Sequence, residues 1–254
     1  MTTKEIVNII ESEYPKFSQE IWDNSGLLID NDNAKINGIL ICFDITEDTI
    51  NEAIERNCNF IISHHPLFFS GLKRIDFSTS EGKIVELLIK NDIAVYAAHT
   101  NMDAAENGIN QRLAQMFELQ DIQVLEPVDE TCGIGRFGDL KEKMSIEDFG
   151  ELVKEKLNTP FVRACGGGEI KKLAICSGSG GDYFKLAKEN SCDALLTGDV
   201  KYHDALDAVS CGISLIDAGH FPTEKLVCDI FEEILNGLSL ELVKSESRDI
   251  FIVK

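Results

Sequence analysis

The sequence has no apolar run approaching the ~20 residues needed to span a bilayer, which argues against a helical membrane protein. Its first residues, MTTKEIVNIIESEYPK, are polar, and their apolar positions are spaced like one face of a helix rather than gathered into a signal-peptide core. The expected location is therefore cytoplasmic. Basic residues are scarce: 24 Lys and Arg stand against 44 Asp and Glu, for a formal net charge of -20. A protein that neutralises phosphates needs a Lys/Arg patch, and no basic run exists here, so nucleic acid is not an expected partner. The acidity is spread along the chain and reads as a solvated, repulsive surface that also attracts divalent cations. None of the eight cysteines is paired at the C-x-x-C spacing of a zinc knuckle or redox motif. Cys42, Cys176 and Cys228 lie instead in the apolar runs ILICFDI, LAICSG and LVCDIF, where a thiol behaves as a small hydrophobe. Buried, reduced thiols fit a reducing compartment.

What remains is a regular alternation, uninterrupted by any low-complexity or linker-like segment. Apolar runs predict strands at 38–43, 59–63, 93–98, 172–177, 194–197 and 213–217. Helical periodicity, as in Ile6, Ile9 and Ile10 or Val227, Ile230 and Ile234, predicts helices at 3–12, 47–56, 81–90, 109–117, 146–156, 183–189 and 223–235. This is the pattern of a mainly parallel α/β protein. It also repeats. GILICFDITEDTINEAIERNCNFIISHHP lies without a gap on KLAICSGSGGDYFKLAKENSCDALLTGDV, with Cys42 on Cys176 and Cys58 on Cys192 (176 − 42 and 192 − 58 both equal 134). IAVYAAHTNMDAAENG then lies on SLIDAGHFPTEKLVCD, with His99 on His220 and Asp103 on Glu224 (both 121 apart). The expectation is two similar domains from a duplication, 1–125 and 126–254. The second begins with its own strand–helix–strand segment around GIGRFGDL and FVRACGGG.

Chemistry is expected at the histidines, of which there are only five. His64 and His65 follow FIIS, His99 follows IAVYAA, His203 follows LLTGDVKY and His220 follows SLIDAG. Ligands in open α/β sheets bind outside the carboxyl ends of strands, so all five are expected at one rim. If His64 and His65 are extended, their rings point to opposite sides and serve different ions or different faces of one site. By itself the pair equally fits a turn with one exposed and one core imidazole. Asp103, four residues after His99, is either a ligand or the N-cap of a helix beginning at AAENGIN. Glu224, four residues after His220, is either a ligand able to bridge two cations or a carboxylate complementing a helix dipole. Imidazoles and carboxylates together suit Zn, Fe, Mn, Co or Ni rather than Ca or Mg. Two such ions about 3.5–4 Å apart would polarise a substrate oxygen and lower the pKa of a bridging water. The SGSGG segment after the fourth predicted strand could cradle an anion, though it lacks the P-loop lysine and a tight turn explains it as well.

Taken in order, WDNSGLLID, ISHHPLFF, AAHTNMDAAENGIN, GIGRFGDL, CSGSGGDYFKLAKENSCDALLTGDVKYHDA and DAGHFPTEK resemble the Nif-three-like family nearly from end to end. The bacterial and archaeal members of that family are commonly called GTP cyclohydrolase I type 2 homologues. The length is similar to the short form without an inserted middle domain. The resemblance implies two intertwined three-layer α/β/α domains, a toroidal homohexamer of stacked trimers or a trimer of dimers, and two divalent transition-metal ions per chain. It places the metal ligands on His64, His65, Asp103, His220 and Glu224, with His99 a candidate catalytic acid–base and His203 a possible substrate contact. It implies either a metal-dependent hydrolase of a nucleotide or related small molecule, or a non-catalytic metal-binding ring serving a protein partner.

Overall fold

The computed structural model describes residues 1–252. In chain order its strands are β1 (Gly26–Ile29), β2 (Gly38–Cys42), β3 (Phe60–Ser63), β4 (Ala94–Ala97), β5 (Gln120–Pro127), β6 (Gly133–Ser145), β7 (Arg163–Cys165), β8 (Glu169–Ile175), β9 (Ala194–Thr197), β10 (Ser214–Asp217) and β11 (Glu241–Lys244). The chain forms two compact α/β units. The first takes Met1–Met102 and Leu226–Ser247, and the second takes Asp103–Lys225 with residues 248–252.

The sheet of the first unit has the order β1-β4-β3-β2-β11, with β1 antiparallel to β4 and the other pairs parallel. Strands β2, β3 and β4 are buried along their whole length, as expected for parallel strands covered on both faces. The helix Glu47–Glu55 starts where the Thr46 hydroxyl accepts the Thr49 N–H at 3.2 Å, with Glu47 and Asp48 in its first turn. The chain boundaries differ from the 125/126 division expected from the repeat. Helix Val227–Leu235 and β11 return to the first unit, where β11 pairs with β2 and Phe231 meets Tyr14 edge-on at 6.3 Å. Asp103 falls in the second unit, not in the first with His64 and His65.

The second unit has the order β5-β6-β8-β9-β10-β7, with β8, β9 and β10 parallel and β7 antiparallel to β10. The run β8-β9-β10-β7 therefore repeats β2-β3-β4-β1, strand for strand and direction for direction. The repeat extends to single residues. Asn57 and Ser191 each take a left-handed φ (+54° and +59°). The next residue, Cys58 or Cys192, donates its N–H to Ala53 O or Ala187 O at 2.8 and 2.9 Å. After β4 and β10, Ala98 N–H donates to Ser63 O and Ala218 N–H to Thr197 O at 3.0 and 2.9 Å. That register matches Ala98 with Ala218 (120 apart), whereas the histidines that follow are 121 apart. The second copy thus carries one extra residue, Gly219, whose φ of +87° suits glycine.

Candidate metal centre

In the first unit, His64, His65 and His99 bring ring nitrogens within 4.8 Å of one another. His64 and His65 do not point apart. They follow the end of β3, where strand alternation has ceased, and their ring centroids lie 5.0 Å apart. Phe43, just past β2, stacks on His64 at 5.9 Å and meets His65 edge-on at 4.6 Å, closing one side of the cluster. His64 is fully buried and His99 nearly so.

Each of these imidazoles is oriented through Nδ1. His64 Nδ1 lies 2.9 Å from Ala98 O, His65 Nδ1 lies 2.7 Å from Asp44 Oδ1, and His99 Nδ1 lies 2.8 Å from Asp23 Oδ1. A carbonyl can only accept, so in neutral His64 the proton sits on Nδ1 and the lone pair on Nε2. Burial opposes ionisation of Asp23, but hydrogen bonds from His99, the Thr100 hydroxyl and the Asn24 N–H outweigh it and hold the carboxyl well below its usual range. Asp23 therefore accepts, and the same tautomer follows for His99. An imidazole whose Nδ1 proton is held by an outer oxygen presents Nε2 as a metal ligand, the usual arrangement at protein metal sites.

The second unit holds the same device. His220 Nδ1 lies 2.8 Å from Asp199 Oδ2, and its Nε2 lies 2.8 Å from Glu224 Oε2, one turn further along the helix His220–Glu224. Glu224 is buried at the end of that short helix, three residues before the helix Val227–Leu235 begins. Gly178 packs directly beneath it: a Cβ there would overlap Glu224 Oε1. Asp103 is also buried and lies inside the helix Thr100–Ala104, while the next helix is capped by Gly108, so the N-cap reading does not hold. The Ser177 hydroxyl donates to Asp103 Oδ1 at 3.4 Å, and Asn110 Nδ2 donates to its carbonyl at 3.1 Å.

Neither His203 nor the SGSGG loop adds a ligand to these clusters. His203 stands exposed in the first turn of the helix Tyr202–Ser210, beside Tyr202, and belongs to none of the metal-capable clusters of the described residues. Three of the five amides of the SGSGG loop are taken by side chains of the protein. Ser177 N–H donates to Asn110 Oδ1 at 2.8 Å, Gly178 N–H to Thr223 Oγ1 at 3.0 Å and Gly180 N–H to Thr197 Oγ1 at 2.9 Å. It is a turn that seats Glu224. The sequence reading also missed the orienting acids Asp23, Asp44 and Asp199. A signal existed for Asp199, which occupies the position of His65 in the second copy.

The donor set fits a metal of borderline softness: imidazole nitrogens, buried carboxylates and no thiolate. An α/β protein with histidine and carboxylate clusters able to hold metal is the class these observations define. Within that class, the chain belongs to the Duf34/NIF3 (NGG1p interacting factor 3) family, whose model matches residues 1–249. It is 37% identical over 229 residues to the GTP cyclohydrolase 1 type 2 homolog of Clostridium acetobutylicum, covering 88% of this chain and 85% of that protein. It is 36% identical over 259 residues to the protein of the same name from Clostridium perfringens, covering 99% of both. The crystal structure of a Bacillus cereus protein related to NIF3 matches with a TM-score of 0.92 at 28% identity, covering 100% of this chain and 99% of that one.

Proposed function

We propose that this protein is a dinuclear metal-dependent hydrolase of a nucleotide or related small molecule, with GTP the candidate suggested by the relatives' name. His64, His65, Asp103, His220 and Glu224 hold the ions, and the chain assembles as a homohexamer. The observation that carries the metal reading is the repeated Nδ1 anchoring of His64, His65, His99 and His220, each by a backbone carbonyl or carboxylate at 2.7–2.9 Å. Structural histidines have no need of that pattern four times over. When bound, two divalent ions polarise a substrate oxygen and lower the pKa of water. The chain's part is to fix the rings before the ions arrive and to keep Glu224 and Asp103 enclosed. His99 keeps its proton on Nδ1 through Asp23 and can accept one at Nε2, which suits a general base.

Elemental analysis of the purified, metal-replete protein tests the centre, with about two transition-metal ions per chain expected and their loss expected in Glu224→Ala. A protein that takes up no metal sinks the assignment. Turnover of GTP, other nucleotides and phosphoesters by the loaded protein tests the chemistry. Activity that survives Glu224→Ala would belong to a contaminant. Full metal loading with no turnover of any of these substrates would favour a non-catalytic ring.

A further inference from the structure

Trp22 and Phe69 are 60% and 55% exposed, yet both lean on a nearly buried histidine of the metal-capable cluster. The Trp22 ring meets His99 at 5.9 Å with an interplanar angle of 76°, and the Phe69 ring meets it at 5.6 Å and 75°. Both lie on irregular segments that hydrogen bonds of neighbouring residues tie down. Next to Trp22, Asp23 accepts from the Thr100 N–H at 3.1 Å and the Ser25 hydroxyl at 2.9 Å. Asn24 Nδ2 donates to Phe68 O at 2.7 Å, so the backbone carrying Trp22 is tied to the backbone carrying Phe69. Two large aromatic surfaces are thus held in water on a pinned frame beside His99. Phe69 also borders a cavity of about 570 Å³ whose wall includes Asp44, Ile45, His65, Leu67, Glu81 and Ile84 and contains no Lys or Arg. Such a wall suits a flat, uncharged group and repels a phosphate.

We propose that Trp22 and Phe69 form a clamp for the planar heteroaromatic ring of the substrate, a nucleobase-like group held by stacking and not by hydrogen-bond readout. The clamp deepens the hydrolase reading, resting on it for the reacting centre, and names the part of the substrate recognised beside it. Stacking tolerates different bases, because every base has a π-face. It also accounts for the absence of any guanine-reading motif in the sequence.

Trp22 is the single tryptophan of the chain, so its emission reports the clamp directly. Zinc-supplemented protein is titrated with GMP, AMP and ribose 5-phosphate, the last differing from the nucleotides by lacking the base. The expected result is quenching by both nucleotides and none by ribose 5-phosphate. Phe69→Ala is expected to weaken nucleotide binding roughly 5- to 100-fold. Calorimetry is expected to show a similar loss for Trp22→Ala and recovery of most of it in Trp22→Phe. Both side chains are largely exposed, so the variants should fold, which circular dichroism verifies. Nucleotide affinity in Phe69→Ala and Trp22→Ala equal to that of the wild-type protein overturns the proposal, as does absence of nucleotide binding. Quenching by ribose 5-phosphate equal to that by GMP also overturns it. A lower assembly mass in the variants with unchanged nucleotide affinity would assign the pair to a subunit interface and reject the clamp. Zinc per chain is measured on the same samples, so failure of the metal reading shows separately as zinc-free wild-type protein.

Discussion

Replacing Gly178 by alanine should strike the metal centre through Glu224 without replacing a ligand. The residue has φ +62°, and an added Cβ would overlap Glu224 Oε1. Two costs follow. Holding alanine in left-handed backbone costs about 1–2 kcal/mol, which for a chain of this size lowers the melting temperature by a few degrees. The second cost is specific to the site. Glu224 is only 3% exposed, so its carboxylate has little room to retreat, and moving it breaks the 2.8 Å approach to His220 Nε2. Loss of an outer-shell contact alone typically weakens metal binding 10- to 100-fold, and displacing a ligand should do no less. Gly212→Ala is the control: φ is +78°, but its Cβ would meet only Lys188 Nζ at 3.7 Å. Apo-protein melting should fall for both variants, and further for Gly178→Ala, where the buried Glu224 carboxylate must also shift. Competition for zinc against a chromophoric chelator should separate them by at least tenfold. Equal zinc affinity in Gly178→Ala and Gly212→Ala would refute a ligand role for Glu224.

Thiol chemistry gives a second check, because Cys211 is exposed and Cys165 half-buried while the other six cysteines are buried. Burial pushes the Cys58 thiol up to about 11 and those of Cys192 and Cys228 up to about 12. A thiol-reactive chromophore should therefore titrate Cys211 quickly and Cys165 slowly in native protein, with the remainder reacting only in denaturant; fast native labelling of more than two would contradict the core. Light scattering should give a mass six times the 28.2 kDa of one chain, and a monomer or dimer would remove the hexamer.

Legibility in the sequence followed burial. Strands β2, β3, β4, β9 and β10 are buried throughout and mostly apolar because they are covered on both faces, and each was expected within a residue or two of its place. Strands β1, β5 and β11 were not foreseen. They lie at sheet edges, where GLLI, QDIQVLEP and ELVK carry no long apolar signal. The residues expected as ligands were visible because histidine is rare here and follows strand ends. Their orienting acids were not, since Asp23 and Asp44 look like any other of the chain's many acids until hydrogen-bond geometry separates them. His203 also follows a strand end, and the helix Tyr202–Ser210 carries it out to solvent.

The duplication explains why the two copies carry different side chains past their matching strands. In the first, the pair after β3 is His64-His65, and both rings join a cluster with His99. In the second, the matching pair is Gly198-Asp199. A Cβ on Gly198 would sit 2.6 Å from the Gly219 carbonyl carbon and 2.7 Å from His220 N, so no imidazole can replace it while the backbone before His220 passes there. The extra Gly219 is what brings that backbone in. Asp199, at the position of His65, became the oxygen that orients His220. In the first copy the equivalent orienting oxygen for His99 comes from elsewhere, from Asp23 ahead of β1. The same frame thus yields three imidazoles in the first unit and one imidazole with buried carboxylates in the second. Restoring histidine at position 198 should therefore fail to build a second cluster, because the constraint is the backbone carried by Gly219 and not a missing side chain.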